Sequence, residues 1–390
     1  MGALRVGLLA VVWLGLVVGP TPARAAKLLF VSGLGGPGSH FYVGTRLADE
    51  LVARGHSVTF LISDAFGQRA NGSLAQRFGF EVFPSTVSRG AMREGLRRFG
   101  ASSLEGKQAS AWQWVKMWLQ SPASGAGGQA VINAGVSAFF AAECNAALSD
   151  AGLDERLRAA GFDLVVGDVL YPCFVLIAQR LNLPYVNVLN GIILPMEHGR
   201  LAGMPSSPAF LPATATRYTD DMSLAQRCLN LAAYALSSFL YDNFCLRPFD
   251  RLKARHGVRP EIGTFESLGR SELWLMNTDF VADYARAMTP NVVLIGGLTT
   301  SPPKPLDEDL ASFVEGSGEH GVIVFTLSSY FNDLQGDMAG RLAAALARLP
   351  QRVLWKYEGV APASLGNNTR LVQWLPLNDI LGHPKTRLLI

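Results

Sequence analysis

His40 stands at the end of a glycine-rich stretch, Gly33 to Ser39, that follows the apolar run Lys27-Leu-Leu-Phe-Val-Ser32. An imidazole placed after a strand and at the start of a helix can accept a proton. The positive end of the helix disfavours its cationic form and keeps it neutral. Asp168 follows a second apolar run, Phe162 to Val166, in the same manner. Ligands of open α/β sheets bind beyond the carboxyl ends of strands, so the two side chains could meet at one crevice. A carboxylate behind a histidine holds the ring and stabilises the imidazolium, which makes a general-base pair. Asp168 equally suits a cap for the helix that opens at Pro172. The same loop carries a different chemistry. Gly33, Gly35 and Gly38 match a dinucleotide fingerprint between a strand and a helix, and Asp64 closes the next strand where a ribose-binding acid belongs. That pattern would be an NAD or FAD oxidoreductase, although Pro37 removes one N–H from the turn that would cradle a pyrophosphate.

Two further residues sit at strand ends later in the chain. Trp374 follows Leu371-Val-Gln373 and stands before Pro376; its indole could stack on a planar base or fill a core. Ser329, just after the run Gly321 to Leu327, could bind phosphate or cap the next helix. Trp112, Trp114 and Trp118 fall in a segment that reads as helical. The four cysteines, Cys144, Cys173, Cys228 and Cys245, show no C-x-x-C spacing, so no metal site is expected.

The elements that must position these residues are strands and helices in alternation. Lys27 to Ser32, a helix over Phe41 to Arg54 stopped by Gly55, and Ser57 to Ile62 form a βαβ unit, which calls for a parallel sheet. The pattern recurs with Phe162 to Val166, a helix over Tyr171 to Leu181, Leu183 to Leu189, Leu273 to Asn277 and Val292 to Ile295. Gly296-Gly297 and Ser301-Pro-Pro-Lys-Pro305 read as a linker. Strands at Gly321 to Leu327, Arg352 to Lys356 and Leu371 to Gln373, with a helix over Asp337 to Leu349, restart the alternation. The expected organisation is a leader over 1–25, a Rossmann-like domain over 26–295, a linker over 296–305 and part of a second Rossmann-like domain over 306–390. A doubly wound domain usually holds about six strands, and Leu388-Leu389-Ile390 reads as a buried strand on which the sequence stops. The second domain is therefore expected to be incomplete.

The chain has 390 residues, is 49% hydrophobic and 17% charged, and carries a formal net charge of +3. This is the composition of globular domains, and no basic block or stripe suggests a nucleic-acid partner. Arg5, the apolar run Val6 to Val18 and Ala23-Arg24-Ala25 fit a secretory signal, with a retained anchor as the alternative. Secretion would place the cysteines in an oxidising compartment and make Asn71-Gly-Ser and Asn367-Asn-Thr glycosylation acceptors. The uncharged stretch Cys228 to Tyr241 is short for a span and reads as a buried or membrane-surface helix.

Taken in order, several stretches resemble the UDP-glycosyltransferase family, the glucuronosyltransferase-like family 1 enzymes. Trp374-Leu-Pro-Leu-Asn-Asp-Ile-Leu-Gly-His383-Pro-Lys-Thr is similar to the opening of that family's signature. Gly38-Ser-His40 looks like its catalytic histidine motif, and Gly167-Asp168 with Pro172-Cys173 resembles the segment of its partner aspartate. Gly203-Met-Pro-Ser-Ser-Pro208, Trp274-Leu-x-Asn-Thr278, Gly296-Gly-Leu298 and Val324-Phe-Thr-Leu-Ser-Ser329 follow in the expected order, so the likeness covers the whole mature chain. Leu377 and Ser328 depart from it, standing where the family usually has Gln and Gly.

The resemblance implies a GT-B fold, two Rossmann-like domains across a cleft, the second incomplete here. It implies inverting transfer of glucuronic acid or a hexose from a UDP-sugar to a small lipophilic acceptor, with the UDP-sugar as co-substrate and no metal or cofactor. His40 would be the base and Asp168 its partner, Trp374 would stack on uracil and Ser329 would touch the UDP phosphate or ribose. Trp112, Trp114 and Trp118 would lie by the acceptor. It further implies the lumen of the endoplasmic reticulum, with a C-terminal membrane helix in the parent and homo- or hetero-oligomers with family members. A chain without the rest of the donor domain would be inactive, and a non-catalytic partner of full-length members is the alternative.

Overall fold

The computed structural model describes residues 25–32, 38–88, 90, 126–191, 193–213, 216, 218–327, 334 and 337–390. The leader over 1–24, most of the glycine loop, Trp112, Trp114, Trp118 and Ser329 lie outside the described residues.

The described strands form two parallel sheets. The first contains β1 (Lys27–Val31), β2 (Ser57–Ser63), β3 (Gly79–Phe83), β4 (Leu164–Asp168), β5 (Tyr185–Asn190), β6 (Leu273–Asn277) and β7 (Val292–Leu294). Its order is β3-β2-β1-β4-β5-β6-β7, every neighbour parallel. The chain winds outward through β1, β2 and β3, then returns to the other side of β1 to lay down β4. The topological switch therefore falls between β1 and β4, with Phe30 opposite Val166 and Val31 opposite Gly167.

Around this sheet run α1 (Ser39–Ala53), α2 (Ala126–Ser149), α3 (Ala151–Ala160), α4 (Cys173–Leu181), α5 (Leu224–Leu240), α6 (Arg247–His256) and α7 (Thr264–Gly269). Buried parallel strands are apolar on both faces, and successive side chains alternate between them. Leu28 and Phe30 join Phe41, Val43, Ala48 and Phe60 in one core. Leu29 and Val31 join Val165, Phe174, Leu176 and Trp274 in the opposite core. The sheet is thus the middle layer of three, as the unbroken apolar runs predict.

The second sheet has the order β10-β9-β8-β11, again parallel throughout. Its strands are β8 (Val322–Phe325), β9 (Arg352–Lys356), β10 (Thr369–Val372) and β11 (Thr386–Leu389), accompanied by α8 (Glu308–Glu315), α9 (Met338–Leu346) and α10 (Leu377–Leu381). Val322, Val324 and Leu354 face one core and Ile323, Phe325, Val353 and Trp355 the other.

The strand expected to be buried at Leu388 to Ile390 is not buried among the described residues, where β11 pairs with β8 and Leu388, Leu389 and Ile390 are each about half exposed. Between the sheets, the Ser301 N–H donates to Asn378 Oδ1 at 2.9 Å and the Lys304 N–H to Asp379 Oδ1 at 3.0 Å, so α10 clamps the Pro-rich segment.

Candidate active site

The switch point brings His40 and Asp168 together. Gly38, at φ +133°, precedes α1 in a backbone conformation that glycine adopts freely. The Ser32 hydroxyl donates to the His40 carbonyl at 3.1 Å and ties the first turn of α1 to the end of β1. Gly44 lets the helix lie that close, because a Cβ there would stand 2.8 Å from Ser32 Oγ. These contacts set His40 above β1, with its side chain 21% exposed.

Asp168 is the last residue of β4 and its side chain is only 3% exposed. Its carboxylate is held from two sides. Oδ1 accepts the Leu170 N–H at 2.9 Å, and Oδ2 is hydrogen-bonded to His40 Nδ1. A carboxylate can only accept, so Nδ1 carries the proton of the neutral ring and Nε2 keeps its lone pair away from Asp168. Behind the aspartate, the Tyr171 N–H donates to the Asp168 carbonyl at 2.8 Å and begins the turn into α4. A side chain on Gly167 would overlap the Phe174 ring, so glycine is required beside the aspartate. Cys173, the first residue of α4, is disulfide-bonded to Cys144 of α2.

Burial pulls the His40 pKa down, while the Asp168 charge and hydrogen bond push it up; the net value is raised above the ordinary 6.5. The shift runs opposite to the one expected of the helix end. The adjacent carboxylate outweighs burial and fixes an imidazolium more firmly than water would. Asp168 does not cap α4, whose N-cap is Pro172 with no side-chain bond; its Oδ1 instead accepts the Leu170 N–H of the preceding turn, so the capping reading is replaced by a turn contact beside the bond to His40.

Tyr42 and Leu170, two residues beyond His40 and Asp168, are 50% and 46% exposed. Neither stood out in the sequence, where each looks like one more apolar residue of its run. At the same edge of the sheet, Asn277 Nδ2 donates to Asn190 Oδ1 at 3.1 Å, and these are the last residues of β6 and β5. Asp64 begins a short 3-10 helix, Asp64–Asn71, and its Oδ1 accepts the Ser85 N–H at 2.9 Å. That carboxylate closes the loop after β3.

Trp374 follows β10 and is 76% exposed, which excludes the core reading of this indole. The ammonium of Lys356, the last residue of β9, lies 5.8 Å from its ring centroid. The exposed indole thus stands over the carboxyl ends of β9 and β10, open to a planar ligand.

Two open parallel sheets, each flanked by helices, are the architecture of the GT-B glycosyltransferases, the fold this chain shares. A UDP-glucosyltransferase from Polygonum tinctorium superposes with a TM-score of 0.53 over 94% of this chain and 75% of its own, at 14% identity. The chain belongs to the family described as UDP-glucoronosyl and UDP-glucosyl transferase, whose profile matches residues 27–390. UDP-glucuronosyltransferase 2A1 of Rattus norvegicus is 31% identical over 353 residues, covering 90% of this chain and 65% of its own length. UDP-glucuronosyltransferase 2C1 of Oryctolagus cuniculus is 34% identical over 354 residues, covering 90% and 68%. The chain spans about two thirds of the length of the curated relatives it matches.

Proposed function

We propose that this protein serves sugar transfer from a UDP-sugar to a hydroxyl of a small lipophilic acceptor, with His40 as general base and Asp168 as its positioning residue. The observation that carries this reading is the His40 Nδ1 to Asp168 Oδ2 bond at the switch point, which leaves Nε2 as the free basic atom. In the reaction, Nε2 takes the acceptor proton while the acceptor oxygen forms a bond to the anomeric carbon. The bond from that carbon to the diphosphate breaks on the opposite face, so the configuration inverts and UDP leaves with the electron pair. Asp168 stabilises the imidazolium so formed. Trp374 stacks on the uracil, supported by its exposure and by a position at the carboxyl ends of β9 and β10. Ser329 is assigned to the phosphate or ribose on family resemblance. Tyr42 and Leu170 offer apolar surface beside the dyad for the acceptor.

We assign the chain to an oxidising compartment of the secretory route. The Cys144–Cys173 disulfide and the Arg5 to Ala25 leader pattern support this. Among the described residues, no helix is long and apolar enough to cross a membrane.

The test is turnover and UDP binding, measured on the chain itself and on the chain extended by the segment of a family relative that it does not match. In whichever form turns over, His40→Ala abolishes transfer from UDP-glucuronic acid or UDP-glucose to a phenol while UDP binding by calorimetry is unchanged. Equal rates for wild type and His40→Ala would refute the assignment of the base.

A further inference from the structure

The helix α5 has its polarity turned inside out. A helix packed on a soluble domain buries an apolar stripe and offers polar residues to water. Here the buried residues are Asn230 and Tyr234. Asn230 Nδ2 donates to the carbonyls of Pro208 and Leu211, each at 2.8 Å, and its Oδ1 accepts the Ala213 N–H at 2.8 Å. The Tyr234 hydroxyl donates to the Leu211 carbonyl at 3.0 Å.

The solvent side is apolar apart from Arg227 near its start, whose Nε donates to the Met222 carbonyl at 3.0 Å. Leu224, Leu229, Leu231, Leu236 and Phe239 are 80%, 60%, 59%, 46% and 58% exposed. Ala225, Ala232, Ala235 and Cys228 are exposed among them. At about 100° per residue these nine side chains fill the half-turn opposite Asn230. No charged residue occurs from Cys228 to Tyr241.

The helical path does not stop at Leu240. A π-helical turn, Tyr241–Leu246, joins α5 to α6 with right-handed helical dihedrals at both junctions. Phe244, in that turn, is 42% exposed. One turn on, Arg247, Arg251 and Arg255 follow at intervals of four residues, all exposed. Arg251 and Arg255 have no ion pair among the described residues, and Arg247 reaches only Asn243 Oδ1, at 3.5 Å. The acids of this segment are engaged elsewhere: Asp242 pairs with Arg200, and Asp250 accepts from Thr264. Asp220 and Asp221 lie at the far end, ahead of the Ser223 cap.

An apolar band ending in a row of unopposed arginines matches one partner, a bilayer surface bearing anionic headgroups. We propose that α5 lies flat in such a surface, its Leu224 to Phe239 side among the acyl chains and Arg247, Arg251 and Arg255 on the lipid phosphates. A helix of 17 residues rises about 25 Å, and its polar inner side is held by the protein, so it rests in the interface and does not cross.

The test uses the one native thiol on that side. With Cys144 and Cys173 joined, Cys245→Ser leaves Cys228 as the sole free cysteine. It is labelled with an environment-sensitive dye and titrated with vesicles of phosphatidylcholine, alone or mixed with phosphatidylserine. The expected result is a saturable blue shift, stronger with phosphatidylserine. Leu231→Ser with Leu236→Ser and Phe239→Ser removes it. Arg247→Gln, Arg251→Gln and Arg255→Gln weaken binding to the anionic vesicles by roughly fivefold for each arginine. Flotation of the unlabelled wild type against the triple serine variant gives a second readout that does not depend on the Cys245 substitution. Three results would overturn the proposal. They are no shift with either vesicle, a shift that rises with protein concentration in the absence of lipid, as a second copy would produce, and a dye already shielded before lipid is added, as another segment of the chain would produce.

Discussion

Asp168→Asn changes one atom of the dyad, and the Leu170 N–H determines which way the new amide turns. That donor sits 2.9 Å from Oδ1 of the native aspartate. In the variant it keeps the amide oxygen on its own side, so the amide NH2 turns toward His40. Nδ1 must then accept, the ring proton moves to Nε2, and the atom proposed to take the acceptor proton is no longer a base. Flipping the amide restores the useful tautomer but sets NH2 against the Leu170 N–H, at a cost of about 1–3 kcal/mol for the donor left unpaired. The competent tautomer is then depleted roughly ten- to a hundredfold. On the proposed mechanism, the lost carboxylate also no longer stabilises the imidazolium formed during transfer, in whichever form of the chain turns over. Together the two effects amount to a fall in kcat of about 10³- to 10⁴-fold.

The acid limb of the pH profile moves as well. In the wild type Asp168 holds the His40 pKa above 6.5 against the opposing effect of burial. Without the carboxylate, burial alone remains and the pKa falls below that value. Stability shifts with the same sign. A raised folded pKa contributes stability below the unfolded value of 6.5 that is lost as pH rises through the folded value. In Asp168→Asn this contribution reverses, and unfolding free energy gains as pH rises. The assays are kcat/KM against pH, a ring-proton NMR titration of His40 that needs no turnover, and denaturant unfolding at several pH values. A variant within tenfold of the wild-type rate, or a His40 that titrates above its ordinary value without the carboxylate, would refute the reasoning.

The other predictions concern the frame and the second sheet. Gly167→Ala places a methyl group in the Phe174 ring and destabilises by about 3 kcal/mol or more, read as a lower denaturation midpoint. Trp374→Ala changes stability by less than about 0.5 kcal/mol because the side chain is exposed. It weakens UDP binding by about 1–3 kcal/mol in calorimetry, while Trp374→Phe retains most of it. Removing the Cys144–Cys173 bond by paired Ala substitution opens a loop spanning 29 residues and costs about 3.5 kcal/mol, seen as a matching fall in thermal midpoint under oxidising conditions.

The strands that carry the dyad were legible because they are short and apolar on both faces. The reading of Phe162 to Val166 stops two residues before β4 does, since Gly167 and Asp168 interrupt the apolar run yet still pair with Asn187 and Val188. The strand β3 was missed for a related reason. Its sequence, Gly-Phe-Glu-Val-Phe, has glycine and glutamate in the pattern, and it pairs only with β2 at the edge of the sheet. His40 and Asp168 were read as strand-end residues that could meet at one crevice, and the resemblance paired them; that they do meet depends on β1 and β4 being neighbours, which no local pattern encodes. The Cys144–Cys173 pairing was likewise invisible, because it requires α2 to cross α4. For Trp374, the choice between core and surface rested on which way one side chain points after β10, and only the tertiary structure supplies that.

The placement of β4 beside β1 has a consequence for how the chain matures. Its 27–83 half can pair β1 with β2 and β2 with β3 as it emerges, but the other edge of β1 waits for residues 164–168. His40 and Asp168 are 128 positions apart, an interval of roughly 6 to 25 seconds at ordinary ribosomal speed. During it, an open edge of Leu28, Leu29, Phe30 and Val31 is a template for wrong partners. The dyad is thus a late product of folding, and nascent chains stalled before β4 should be the ones that chaperones hold.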